Sequence, residues 1–430
     1  MMALRSTLAS VREGSPRALL VSGEAGIGKS RLVAEAVAAA RADGFDILQG
    51  YCFEQDRGLP YSAVLELLRS SFVSRPGALE ELAGASSGDI ARVAPELLRG
   101  VVPSPALDPD QDRRRLFFAF GQLLLQIATK QPLMVVLEDL HWSDETTLQF
   151  LTYFARRLSG ESGSPLLLMM TYRSEEVNEA LHHFVAELER QRLATELSLG
   201  SLTLAEADVM VRAIMGLQRS LRRDFLEVLY RRAEGNPLFI EEILKSSIGA
   251  NAASFDGGPL PAAGIPRSVQ DAVRQRAARL SGGARQLLQL AAVAGQRFEL
   301  PLLLRLTGEE PSAVLDQVKE LIAAQLIIEE SAEHFRFRHA LTREAIYSNL
   351  LAFERRELHG RIADETEQAA ASSPKGIDGH VEELAFHFYE AQVWTKAHVY
   401  CTRAGERALA LFTPGAAVQH LTRAIEAARQ

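Results

Sequence analysis

The eight residues Gly23-Glu24-Ala25-Gly26-Ile27-Gly28-Lys29-Ser30 fit the pattern G-x-x-x-x-G-K-[ST], and nothing else in the chain constrains the fold as strongly. The apolar run Ala18–Ser22 leads straight into them. A helical pattern follows from Ser30 to about Ala40, with Leu32, Val33, Ala36, Val37 and Ala40 on one face. Strand, Gly-rich loop and helix in that order is the setting in which such a loop holds phosphate. Glycines allow left-handed backbone and let N–H groups approach an anion without a Cβ in the way. The helix N-terminus adds partial positive charge. Lys29 is expected to reach the β- and γ-phosphates of ATP, or the β-phosphate of ADP, and the Ser30 hydroxyl to ligate Mg²⁺. Arg31, directly after, joins the candidate nucleotide-binding positions.

A phosphate loop of this kind needs a parallel sheet behind it. The runs Asp46–Gln49, Leu133–Leu137, Leu166–Thr171 and Glu196–Leu199 supply four more short strands, separated by helical patterns. This alternation predicts an α/β sheet flanked by helices over residues 1–200. The run Leu133–Leu137 ends in Glu138 and Asp139. Adjacent acids at a strand end point in different directions. Glu138 is therefore expected at the metal, and Asp139, a candidate catalytic acid with Lys29, at the attacking water. The run Leu166–Thr171 ends in Tyr172 and Arg173. An arginine at that strand tip either senses the γ-phosphate or is a surface residue after a strand.

Beyond the sheet, residues 201–250 read as an all-helical lid. The Gly- and Pro-rich stretch Asn251–Gly264 reads as a linker. Residues 265–351 hold several helices and one hairpin, with strands at Gln325–Glu330 and His334–Arg338. The tail from 380 to 430 is helical. Ala397 and Ala404, and again Ala417 and Ala424, are seven apart, a spacing that lets helices pack closely in a weak TPR-like repeat.

With 47% apolar and 24% charged residues and a net charge of −8, the composition is that of an ordinary globular protein without a general pull toward nucleic acid or anionic membrane. Two distant cysteines, Cys52 and Cys401, make no zinc or disulfide framework, and a reducing cytoplasm is expected. The first residues have no apolar core of a signal peptide, and no run spans a bilayer. Gly84-Ala85-Ser86-Ser87-Gly88 matches the pattern of a hydrolase nucleophile, but a helical pattern rather than a strand precedes it. His182 and His183, and His380 with His387, lack partners at metal-ligand spacing. Phe117, Phe118 and Phe120 read as core.

The segments GEAGIGKSRL, GYCFEQDRGLPYSAVLELLR, VVLEDLHWSDETT, MTYRSEE and EGNPLFIEEIL together resemble the signal-transduction ATPases with numerous domains. More narrowly, they resemble the origin-recognition-complex-like AAA ATPase domain of large LuxR-type regulators and of proteins beside class III adenylate cyclases. The likeness runs on through IPRSVQDAVRQRAARLS, AAVAGQRFEL and FRFRHALTREAIYSNLL, over nearly the whole chain.

The resemblance implies an ATPase used as a slow regulatory switch, with residues 265–351 as a winged-helix-like domain. It makes Gly23 to Ser30 the nucleotide loop and Arg173 the sensor arginine. It also places Pro237 of Gly235-Asn236-Pro237 against the adenine side. Glu138 departs from the Asp usual at the first acidic position. His339 either senses the nucleotide or caps the helix after the hairpin. Implied partners are ATP, signalling or output modules, and a second copy on ATP binding. The family's usual opening G-R-x-x-E segment and a C-terminal output domain are not found in these residues, so the chain is expected to be a core separated from its output module. The rival readings are DNA binding through the 265–351 region, where acids and bases balance, a split ATPase partner of a nucleotide cyclase, and a housekeeping ATPase or phosphotransferase, for which no hydroxyl-substrate site is identified.

Overall fold

The computed structural model describes residues 2–53, 59–72, 77–98, 100–105, 108–161, 163–217, 223–248, 269–371, 376–411 and 413–430. The expected linker Asn251–Gly264 lies outside the described residues. Helix α1 (Met2–Arg12) precedes β1 (Arg17–Gly23), α2 (Lys29–Ala42) and β2 (Asp46–Tyr51). Helices α3 (Ser62–Phe72), α4 (Ala78–Ala83), α5 (Ser87–Ala91) and α6 (Pro109–Lys130) lead to β3 (Leu133–Glu138). Then follow α7 (Glu145–Gly160), β4 (Leu166–Arg173), α8 (Glu179–Arg190) and β5 (Thr195–Leu199).

The five strands lie within a residue or two of their expected positions and pair in parallel in the order β2-β3-β4-β1-β5. Alternate side chains enter two separate cores, as the strand period of two requires. Leu20, Leu48, Val135, Leu137, Leu168 and Met170 face one core. Leu19, Val21, Met134, Val136, Leu167 and Met169 face the other, against α1 and α2. Both faces of β3 and β4 are covered, so their sequences read as unbroken apolar runs. Phe117 and Phe120 of α6 are buried with Tyr61 and Phe150, as expected for core. Phe118 departs from that expectation: it is 52% exposed, and the Arg157 guanidinium lies over its ring. A helix carrying three aromatics at positions 117, 118 and 120 cannot turn all of them inward, because adjacent residues diverge by about 100°. The Gly84–Gly88 stretch forms a 3₁₀ turn and the start of α5 after helix α4.

Three helices follow the sheet: α9 (Leu204–Met215), α10 (Arg223–Ala233) and α11 (Pro237–Ile248). They share a core of Val211, Phe225, Leu229, Ile240 and Ile243. Next come α12 (Val269–Ala278), α13 (Gly282–Ala294), β6 (Arg297–Glu299), α14 (Leu300–Thr307) and α15 (Pro311–Ala323). The expected hairpin is present as β7 (Ile327–Glu329) and β8 (His334–Phe337). β6 pairs on the other side of β8. Its three residues are too few to show a strand period in sequence. Buried Glu242 of α11 pairs with Arg276 of α12. The second sheet also meets the first part of the chain. Arg297 bridges Glu66 of α3 and Glu330, and Arg336, also paired with Glu330, lies over the Tyr51 ring.

The chain ends in α16 (Ala340–Asn349), α17 (Ala352–Ala371), α18 (Val381–Glu390), α19 (Trp394–Ala410) and α20 (Pro414–Arg429). The alanines at spacing seven are buried, Ala397 and Ala404 on α19 and Ala417 and Ala424 on α20. A Cβ on Gly405 of α19 would meet Leu421 of α20 at 2.7 Å, so these helices approach as closely as small residues permit. Among the described residues no helix is long and apolar enough to cross a membrane.

Candidate nucleotide site

Strands β1, β3 and β4 deliver their functional residues to one edge, the carboxyl ends of the parallel strands, where ligands of open α/β sheets bind. In register, Gly23 lies beside Arg173, and Glu138 beside Tyr51. The loop Gly23–Ser30 rises from β1 and turns into α2 at Lys29. Gly23, Gly26 and Gly28 have φ of 150°, 78° and 110°. At Gly26 the requirement is also steric, since a Cβ would meet Asn236 Oδ1 and Leu238 Cβ at 2.9 Å.

Lys29 is buried, and its ammonium donates to the carbonyls of Gly23 at 2.7 Å and Glu24 at 2.8 Å. Burial lowers its pKa, opposed by the charges of Asp139 and Glu175. The ammonium thus rests inside the loop on two neutral carbonyls, able to turn toward an anion. Ala25 N–H donates to the Glu175 carboxylate at 2.6 Å. Arg31 is exposed and paired with Glu35 at 2.9 Å, one turn along α2.

Glu138 is buried and hydrogen-bonded by Ser30 and by the Gln49 amide, the latter at 2.8 Å. Burial, and then the neighbouring Asp139 charge, raise its pKa to about 7. The Ser30 hydroxyl and the Glu138 carboxylate therefore adjoin, a pair of hard oxygen donors of the kind Mg²⁺ takes alongside phosphate and water. Their approach, with a carboxyl that gives up its proton near neutrality, fits such an ion. Asp139 turns away in the left-handed region, at φ 62°, with its N–H held by Thr171 Oγ1 at 3.0 Å. A non-Gly residue there is uncommon and is kept only by its surroundings. Burial raises the Asp139 pKa, while Arg173 and Lys29 counter it. Arg173 is buried and pairs with Glu176. His141, fully buried, stands between Asp139 Oδ1 at 3.9 Å and Glu176 Oε2 at 3.7 Å.

The structure thus brings Gly23–Ser30, Glu138, Asp139 and Arg173 together. Pro237 is the first residue of α11, next to the loop, yet the contacts come from its neighbours. The Asn236 amide donates to Ala25 O at 3.0 Å, and Leu238 N–H donates to Gly26 O at 3.2 Å. Asn236 Oδ1 also accepts from Leu238 N–H at 3.0 Å, capping the helix. Gly235 permits this approach, because at φ 74° a Cβ would lie 2.4 Å from Leu202 O. His339 stands at the start of α16, and its side chain does not cap that helix. The cation that the second sheet brings near Glu138 and Asp139 is Arg336.

Sequence reasoning missed Gln49, Asn236, Glu175 and Arg336. Only Asn236 had a signal, a good N-cap residue before a proline. Asp144 serves the architecture: its carboxylate caps α7 through Thr147 N–H and receives Tyr61 N–H, fixing the entry to α3. His182 and His183 are exposed on α8. His387 is buried against His359, and His380 pairs with Glu383.

Residues 1–169 match the family model of the AAA ATPase domain. An uncharacterized protein of Rhizobium meliloti (strain 1021) is 27% identical over 378 residues, which are 82% of this chain and 35% of that protein. The chain therefore spans about a third of the length of that relative. Among solved structures, a signal transduction ATPase with numerous domains carrying a tetratricopeptide repeat sensor, from Pyrococcus horikoshii, superposes with a TM-score of 0.49 at 13% identity, covering 99% of this chain and 64% of that one. The Aeropyrum pernix ORC2 protein, solved in ADPNP–ADP complexes, gives a TM-score of 0.38 at 14% identity over 86% of this chain and 94% of its own.

Proposed function

We propose that the chain, whose residues 1–169 match the model of the AAA ATPase domain, is a Mg·ATP-dependent regulatory switch with slow hydrolysis, the core of a signalling or transcriptional regulator. The observation that carries this reading is the pair of hydrogen bonds from Asn236 and Leu238 to the carbonyls of Ala25 and Gly26. A phosphate loop whose peptides are held by the next helical region couples its own rearrangement around nucleotide to that region. In this reading residues 201–250 are the lid, and 265–351 form a winged-helix-like domain that receives the movement. The tail from 380 serves as a TPR-like surface for signalling or output modules.

Backbone N–H groups of Gly23–Ser30 and the Lys29 ammonium would hold the phosphates. Ser30 and Glu138 would hold Mg²⁺, which supplies charge neutralisation between the β- and γ-phosphates. Asp139 would orient the attacking water and accept its proton. Arg173 would contact the γ-phosphate and so distinguish ATP from ADP, and Pro237 and His339 would border the nucleotide from the lid and beyond it. ATP and ADP would stabilise different arrangements only by their differential contacts.

The test is thermal unfolding of wild type and Lys29→Ala with and without Mg·ATP. Ligand at about 1,000 times its dissociation constant stabilises a fold by ~4 kcal/mol. Wild type should melt several degrees higher with ATP, and Lys29→Ala should lose most of that gain. Equal shifts in both proteins would remove the phosphate-site assignment.

A further inference from the structure

Strand β4 does not end idly at Arg173. In register with Gly23, it continues into a turn whose first residue, Ser174, donates its N–H to Gly23 O at 3.3 Å. The turn closes through Glu176 N–H on Arg173 O, also at 3.3 Å. Ser174, Glu175 and Glu176 are thereby stapled against the start of the phosphate loop.

Two carboxylates from this turn occupy positive positions of the site. Glu175 accepts from the Ala25 N–H at 2.6 Å, shorter than the usual charge-assisted N–H···O contact. Glu176 pairs with the Arg173 guanidinium. Both acids also act on the Lys29 ammonium through space. A carboxylate oxygen on a loop N–H is chemically what a phosphate oxygen is there: an anionic acceptor in a backbone concavity. Glu175 is exposed, and among the described residues its oxygens are held by the loop amide, with the Ser174 hydroxyl as a weak neighbour.

We infer that the Ser174–Glu176 turn is an internal anion clasp: Glu175 and Glu176 stand in for phosphate oxygens on Ala25 and Arg173 and lower the affinity for nucleotide, for ATP more than for ADP. The inference rests on the proposed reading of Arg173 as the group that meets the third phosphate. Entry of ATP then requires Glu175 to leave Ala25 and Glu176 to release Arg173. ADP, lacking the third phosphate, does not need Arg173 and meets less of the clasp. No covalent bond is made or broken; one set of anions replaces another. The clasp also guards the loop from binding stray anions.

Isothermal titration with Mg·ATP and Mg·ADP tests this on the full chain, using wild type, Glu175→Gln, Glu176→Gln and the double variant. Both side chains are at least partly exposed, so the variants should fold, which their unliganded melting temperatures check. A charge-assisted hydrogen bond relieved of its competitor predicts about tenfold tighter ATP binding for Glu176→Gln, which frees Arg173, and more for the double variant. ADP should gain less than about threefold from Glu176→Gln, because it does not meet Arg173, whereas Glu175→Gln should tighten both nucleotides. Unchanged ATP affinity in both single variants overturns the clasp, as does weakened binding, which would make the acids helpers of the nucleotide. Equal gains for ATP and ADP in Glu176→Gln overturn its place at the third phosphate. If neither wild type nor any variant binds nucleotide, the nucleotide-site reading itself falls and the clasp with it.

Discussion

Asn236 uses both ends of its side-chain amide at one junction: the NH₂ group donates to Ala25 O at 3.0 Å, and the oxygen caps α11 through Leu238 N–H at 3.0 Å. The residue that starts the helix is the residue that holds the phosphate loop. The two roles are separable by chemistry. Asn236→Asp keeps the cap oxygen and loses the donor to Ala25, whereas Asn236→Ala loses both. Capping is worth about 1 kcal/mol. Asn236→Asp should therefore melt close to wild type without nucleotide, while its ATP affinity falls several-fold. Asn236→Ala should lose about 1 kcal/mol of stability as well. Chemical unfolding beside nucleotide titration reads both, and an Asp variant with wild-type ATP affinity would show that this junction does not serve the site.

Glu138 links pH, stability and metal. Its folded pKa, about 7, lies above the ordinary 4.5. Between those values the folded state binds more protons than the unfolded one, so stability falls as pH rises through this window. By pH 8 the buried charge costs on the order of 3 kcal/mol. Glu138→Gln should be more stable than wild type at pH 8, with the gain shrinking toward pH 5. It should also lose the Mg²⁺ dependence of nucleotide binding. Asp139→Asn should leave Mg·ATP binding largely intact and slow hydrolysis. Reversed phenotypes of the two variants would exchange the metal and water roles.

Arg173 gives the most direct measure of switching. A contact made only to the third phosphate contributes roughly 1.5–3 kcal/mol, or about ten- to a hundred-fold in preference. Arg173→Ala should move the ATP/ADP affinity ratio toward one and leave ADP binding in place. Limited proteolysis in ATP and ADP should differ for wild type and converge for the variant. Identical cleavage of wild type in both nucleotides would mean that the chain binds nucleotide without switching.

The carboxyl-terminal helices carry their own pH dependence. His359 of α17 and His387 of α18 meet Nδ1 to Nδ1 at 2.8 Å, so one must donate and the other accept, and Tyr347 Oη lies 3.0 Å from His359 Nε2. Burial, then Arg343 and Arg355, push the His359 pKa down to about 4, and His387 is also lowered. The unfolded chain takes up these protons below about 6.5, so the contribution to stability is present above that pH and is lost as pH falls toward 4. His359 alone accounts for roughly 3 kcal/mol across the window. Urea unfolding at pH 7.5 and 4.5 should show the loss, and His359→Gln should flatten it. A variant with the same pH slope as wild type would rule His359 out as its source.

Much of this molecule was legible because its information is local. The strand before Gly23, the glycines at positions that turn left-handed, the lysine and serine opening a helix, and the two acids after an apolar strand are all neighbours in sequence, and period and turn chemistry suffice to read them. Even Arg173 could be found, as the residue on which a buried strand stops. The hairpin near residue 330 and the seven-residue alanine spacing followed from the same short-range rules.

What the amino-acid order alone determined is therefore a parallel sheet with a phosphate loop at its carboxyl edge and helices after it. What only the tertiary structure decided is which distant residues meet that edge. Asn236 reaches Ala25 across 211 positions, Glu175 reaches the same residue across 150, and Gln49 reaches Glu138 across 89. None of the three lies in a motif whose spacing points at its partner. Their hydrogen bonds depend on the strand order β2-β3-β4-β1-β5, which sets β4 beside β1 and β2 beside β3, and on the seating of α11 over Gly26. Strand order and helix seating are products of how whole faces bury their apolar surface, a property of the assembled core that no short window of residues contains.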